Sequence, residues 1–211
     1  MEHTSRNGTK RWTEQCREDI RFVQNEGGPV LGLSAQSGVG LLEADGLAFK
    51  DLNRDGKLDP YEDWRLSPRQ RAEDLAARMA IEQIAGLMLY SAHQSVPAMP
   101  MGPFAAATYD GKPFPQSGAA PWSLSDQQQQ FLAHDHLRHV LVTRVQDNET
   151  AARWNNALQT FCEGIGLGVP ANNSSDPRHG ADATKEFNMG AGGVISMWPE
   201  QLGLAATFDP E

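Results

Sequence analysis

Cysteine is nearly absent from this sequence. Its 211 residues hold two, Cys16 and Cys162, far apart and in no Cys-x-x-Cys spacing. That count excludes a disulfide framework and a cysteine zinc cluster, which need paired or clustered thiols. Long apolar runs are also absent, and none approaches the ~20 residues of a membrane span. Basic residues are few: Lys and Arg total 18 against 27 Asp and Glu, for a formal charge of −9. That balance argues against a nucleic acid or an anionic membrane as partner, since both require a basic face. The first ten residues show no apolar core of a secretory leader. By default that reads as cytoplasmic. No motif for an organic cofactor occurs.

What is present is ordinary for a globular chain, with 39% hydrophobic and 21% charged residues. The length suits one or two domains. Residues 1–48 are polar and Gly-rich and read as an irregular N-terminal extension, with at most a short strand within 27–33. Residues 49–66 form an acidic loop. Residues 67–211 alternate strands and helices, as in a parallel sheet. Within them, 91–123 carry Pro97, Pro100, Pro103, Pro113, Pro115 and Pro121. Such a density of breakers predicts an insertion without regular elements, a lid over a rim.

Local signals define the elements. Ser67, Pro68 and Gln70 predict an N-cap, a first-turn proline and a capping box. Ala72, Leu75, Ala76 and Met79 then recur at helical spacing. A short helix over 81–85 leads into Gly86–Tyr90, read as a buried strand. Ser125 is a candidate cap for a helix whose Gln127–Gln130 run faces solvent. Residues 140–145 are β-branched and predict a strand. Asn148 is the expected cap of a helix over 149–162. A further strand spans 169–175. It ends at Asp176, Arg178, His179 and Gly180. In a βα fold, an acid where a strand runs out sits on the face that carries chemistry.

The sharpest motif is Asp51-x-Asn53-x-Asp55-Gly56-Lys57-Leu58-Asp59-x-x-Glu62. It fits the twelve-residue EF-hand template at each position. Ca²⁺ takes six to eight hard oxygens. The side chains of Asp51, Asn53 and Asp55, the carbonyl of Lys57 and a bidentate Glu62 would supply them, with Asp59 binding directly or through water. Gly56 permits the sharp turn. The competing reading is an acidic, Asx-rich turn held by its own hydrogen bonds. A structural calcium ion would point to a periplasmic or secreted setting, against the default above.

Other clusters are weaker. His134, His136 and His139 do not share one helical face and read as surface or helix-end residues. Trp154 reads as helix packing and Trp198 as core or an aromatic stacking face. Asn172, Asn173, Ser174 and Ser175 place polar groups on a strand that a wholly buried parallel sheet would not choose.

Several separated stretches resemble glycoside hydrolase family 3, the β-glucosidases and related exo-acting glycosidases. They are residues 49–64, the run 71–89, the Leu-Gly-Val-Pro of 167–170 before Asp176, and residues 198–210, in the family's order. The resemblance covers roughly 49–90 and 137–211. It implies an α/β fold, here the first strands and helices of a (β/α)8 TIM-like barrel, and retaining hydrolysis of terminal β-linked glucosyl or related residues. It implies a carbohydrate substrate, with Asp176 binding hydroxyls of the terminal sugar, and Arg178 and His179 beside it. The family's nucleophile and acid/base lie later in the barrel, downstream of Glu211, so no catalytic residue is expected in this chain. Asp182 and Glu186 match nothing in the family pattern. The expected missing partner is the C-terminal part of the barrel, and the fragment alone is expected to be inactive. Two alternatives stand beside this: a calcium-binding interaction module and a catalytically inactive sugar-binding homologue.

Overall fold

The computed structural model describes residues 10–99, 107–174, 199 and 201–207. The chain divides into two compact units: Met1–Ala80 with Thr160–Val169, and Ile81–Gln159 with Pro170–Glu211.

The first unit is built on antiparallel strands. β1 (Trp12–Arg17), β2 (Ile20–Asn25) and β3 (Val30–Ser34) form a meander, and β4 (Gly40–Ala44) pairs with β5 (Leu47–Asp51). The expectation of an irregular segment over 1–48 therefore does not hold for 12–44. The reason lies in the turns. Ala44 pairs with Leu47 across Asp45-Gly46, whose φ values are +54° and +76°. Two successive positive φ angles are the signature of a type I′ hairpin turn, for which Asp-Gly is strongly preferred. That dipeptide, between two partly apolar runs, was the available signal.

Val23, Leu33, Val39 and Ala48 form the core of this unit, with Trp12, Leu31, Leu41 and Leu52 against them. Phe49 is fully buried and stacks on Trp64 at 5.2 Å. The Trp64 ring lies so close to Gly28 that a Cβ there would meet it at 2.4 Å. α1 (Pro68–Arg78) begins as predicted, with Pro68 in its first turn and a reciprocal Ser67–Gln70 capping box. Its apolar stripe is not buried: Leu75 and Met79 are half-buried, Ala72 and Ala76 exposed. Lys50 and Glu163 form an ion pair, and the Arg54 guanidinium donates to the Gly164 carbonyl at 2.9 Å.

The second unit opens with α2 (Ile81–Leu87), which continues through the residues expected to start a strand. Met88 is 83% exposed, and Leu89 and Tyr90 are half exposed. Only Tyr90 makes a bridge, to His139. A four-residue apolar run does not distinguish helix end from strand, and here the helix wins. The strand comes later. β6 (Gln94–Val96), β7 (Thr108–Tyr109), β8 (Lys112–Pro113) and α3 (Phe114–Ser117) all lie within the stretch expected to hold no regular element. β7 and β8 join through Asp110-Gly111, at φ +52° and +73°, a second turn of the same kind. Tyr109 is buried with Ala98 and Ala107, and its hydroxyl accepts from the Ala98 amide at 2.7 Å.

α4 (Asp126–Ala133) carries the predicted Ser125–Gln128 capping box. Gln128 does not face solvent: it is fully buried and accepts from the Trp154 indole at 3.3 Å. β9 (His139–Val145) and α5 (Asn148–Glu163) follow, then β10 (Asn172–Ser174) and α6 (Gln201–Ala205). The cap of α5 is Asp147 rather than Asn148, because its carboxylate accepts from the Thr150 amide at 2.7 Å. β6, β9 and β10 form one parallel sheet in the order β10-β9-β6. Parallel neighbours in chain order, joined through helices, are βα topology.

Candidate functional site

In an open parallel sheet, ligands bind beyond the carboxyl ends of the strands. β9 and β10 run side by side, with Asn172 opposite His139 and Ser174 opposite Leu141. The register leaves Val142–Val145 extending past the described end of β10. Against this end lies a cleft of about 320 Å³, lined by Val142, Val145, Ala151, Trp154, Asn155, Asn173 and Ser174. Its walls are mostly apolar, with two amides among them. Asn173 donates to the Asn155 side chain at 2.5 Å, which fixes both amides at the rim. Asn172 meets His139 at 3.1 Å, and the His139 ring stacks on Tyr90. His139 is thus an edge residue engaged by two neighbours, while His134 is exposed and His136 sits at positive φ.

Asp176, Arg178 and His179, the predicted sugar-binding residues, lie outside the described residues, as does Trp198. Ser174 is the last described residue before them. Asp176 stands two positions beyond Ser174 in the sequence.

The second candidate is the acidic loop of the first unit. Gly56 takes φ +75°, and the Asp51 carboxylate accepts from the amides of Asp55 and Gly56, both at 3.1 Å. The loop therefore turns where the template requires. The remaining acids are directed elsewhere. Glu62 is buried and accepts from the amides of Leu52, Asn53 and Asp59, at 2.7, 3.2 and 3.0 Å. Asp59 is gripped by both terminal nitrogens of Arg78, each at 2.8 Å, and by the Asn53 amide at 2.7 Å. Among the described residues no group of three His, Cys, Asp or Glu side chains converges as metal ligands. The donor types suit a hard cation. The arrangement is that of a loop that satisfies its own acids.

Electrostatics agree with that arrangement. Burial raises the Glu62 pKa, opposed by the three amides that donate to it. Burial also raises that of Tyr61, and the neighbouring Glu62 charge adds to the effect. The Tyr61 hydroxyl is buried beside the Glu62 carboxylate. The Arg65 guanidinium holds the Asp63 carboxyl below the usual aspartate range. Arg78 is not foreseeable as a partner of Asp59 from spacing, because the two are nineteen residues apart.

No family model matches the chain. It is similar to a periplasmic beta-glucosidase/beta-xylosidase of Dickeya chrysanthemi, 39% identical over 178 residues, covering 82% of this chain and 24% of that protein. It is also similar to a probable beta-glucosidase C of Aspergillus flavus, 30% identical over 74% of this chain and 22% of that protein. A beta-glucosidase C of Emericella nidulans is 28% identical over 79% of this chain. The chain thus spans about a quarter of the length of the curated relatives it matches. Relatives named as β-glucosidases or a β-xylosidase support a glycosidase kinship. No helix among the described residues is long and apolar enough to cross a membrane.

Proposed function

We propose that this chain is the N-terminal part of a family 3-type β-glucosidase, acting on terminal β-linked glucosyl or related residues with retention of configuration. The observation that carries the reading is the similarity over 82% of the chain to a beta-glucosidase/beta-xylosidase. The parallel succession β6, β9, β10 is compatible with the first strands of a (β/α)8 barrel, and Asp176 follows β10 in the sequence. In this reading Asp176 accepts hydrogen bonds from hydroxyls of the terminal sugar, and Arg178 and His179 flank it. An ionised carboxylate suits that task because charge-assisted hydrogen bonds are the strong ones.

Retaining hydrolysis needs two carboxyl groups ~5–5.5 Å apart, one as nucleophile and one as acid/base. Both would come from sequence outside these 211 residues, within the remaining three-quarters of a protein of the relatives' length. The outer edges of β6 and β10 would pair with strands from that part. A periplasmic setting is supported by the similarity to the periplasmic Dickeya protein. The acidic loop is proposed as a structural calcium site, supported by its spacing and by the positive φ of Gly56.

The test is Asp176→Asn in the full-length protein, assayed on 4-nitrophenyl β-glucoside. The expected result is a loss in kcat/KM of at least about a hundredfold, the equivalent of ~3 kcal/mol for a charged hydrogen bond lost from the transition state. Near-wild-type turnover would overturn the role of Asp176.

A further inference from the structure

Three Asp-Gly dipeptides occur in the sequence, at 45–46, 55–56 and 110–111, and all lie among the described residues. In such a pair the backbone nitrogen of glycine can attack the side-chain carboxyl before it, because no Cβ stands in the way. The fold treats the three carboxylates differently. Asp45 is held by Arg65, whose guanidinium donates to it at 2.7 Å, and Gly46 behind it is buried. Asp55 is held by the Lys57 amide, which donates to it at 2.8 Å. Asp110 is exposed, and nothing among the described residues holds its carboxylate. Gly111 is exposed too, and beyond its chain neighbours no atom lies within 4 Å of where a Cβ would stand. Its amide donates to the Asp126 carboxylate at 2.9 Å, so an acceptor for the amide proton is already in place.

We propose that Asp110 is a self-modification site, the position in this chain where an aspartate preferentially cyclises onto the next amide and reopens as isoaspartate. The Gly111 nitrogen attacks Cγ of the protonated Asp110 carboxyl and a C–N bond forms. The amide proton passes to Asp126 and from it to the departing hydroxyl, which leaves as water. Water then adds to either carbonyl of the succinimide ring. Opening one C–N bond restores aspartate, and opening the other routes the main chain through the side-chain carbon. No oxidant or cofactor enters, and the mass of the final product equals that of the starting chain. The added backbone carbon shifts the Gly111 amide away from Asp126, which clips the β7–β8 turn to α4.

The experiment ages the folded full chain for several weeks in mildly acidic buffer, beside a sample unfolded in urea. Each of the three sites is scored by peptide mapping, where isoaspartate blocks cleavage by endoproteinase Asp-N and shifts retention at constant mass. Conversion at Asp110 is expected to run at least about fivefold faster than at Asp45 or Asp55, the rate equivalent of the ~1 kcal/mol hydrogen bond those two must release. In urea the three rates are expected to converge. Equal rates in the folded chain, or faster conversion at Asp45 or Asp55, would overturn the proposal. The same ranking in urea would also overturn it, since local sequence rather than the fold would then set the preference. Asp126→Asn keeps an acceptor for the Gly111 amide but takes up no proton, so it is expected to slow conversion at Asp110; acceleration would overturn the proton transfer to Asp126.

Discussion

Asn25 bonds to Ala48 as a neighbouring strand would. Its side-chain amide donates to the Ala48 carbonyl at 3.1 Å, and its oxygen accepts from the Ala48 amide at 2.8 Å. The Asn25 residue is 1% exposed, and the Trp64 indole shares the same carbonyl at 3.0 Å. One amide thus joins the end of the meander to the hairpin and seals β5 on the side away from β4.

Replacing Asn25 by Ala leaves the buried Ala48 amide without its acceptor. The expected loss is about 2–4 kcal/mol, combining an orphaned donor with lost hydrogen bonds. Asn25→Asp is expected to recover little, because a carboxylate cannot donate to the carbonyl and its charge would be buried. Urea unfolding of the three proteins checks both; a loss below about 1 kcal/mol for the alanine variant would contradict the finding.

Gln128 holds a comparable place in the second unit. It closes the cap of α4, accepts from Trp154 and donates to Gln94 at 3.3 Å. Gln128→Ala removes the reciprocal cap and strands the indole N–H. A loss of about 2–3 kcal/mol follows from a cap of ~1 kcal/mol and one unsatisfied buried donor. Gln129→Ala, on the exposed side of the same helix, is expected to change stability by less than about 0.5 kcal/mol. Thermal melts followed by circular dichroism compare the two.

Asp126 gives a pH dependence of known sign. Its carboxylate accepts from the Gly111 and Asp110 amides at 2.9 Å and from the Thr108 hydroxyl at 2.7 Å. The Gly111 amide leads these bonds in holding its pKa below the usual aspartate value. A folded pKa below the unfolded one means stability present above the unfolded value, ~3.9. That stability is lost as pH falls from there through the lower folded value. Melting temperature is therefore expected to drop more steeply below about pH 4 in wild type than in Asp126→Asn. Parallel acid limbs for the two proteins would count against this role.

What was legible in the sequence was local. Ser67 with Gln70 and Ser125 with Gln128 announced their helices because a capping box is closed within one turn. The strand at 140–145 stood out by β-branching, and the calcium-like spacing marked a turn that does occur at Gly56. The hairpins did not stand out, because Asp45-Gly46 and Asp110-Gly111 sit in stretches whose overall polarity and proline content suggested loops. Gln128 reads as a surface residue in the sequence because burial of a single glutamine depends on partners, Trp154 and Gln94, that are 26 and 34 residues away. The Arg78 clasp was hidden for the same reason. Partners distant in sequence leave no periodic trace.

The two cysteines acquire different meanings from their positions. Cys16 lies on the exposed strand β1, and Cys162 is fully buried near the end of α5. A maleimide dye applied to the folded chain therefore meets a single accessible thiol, so Cys16 is a ready anchoring point for a fluorophore or spin label on the antiparallel meander. The same exposed thiol makes a reductant advisable in storage, since two copies can couple through it.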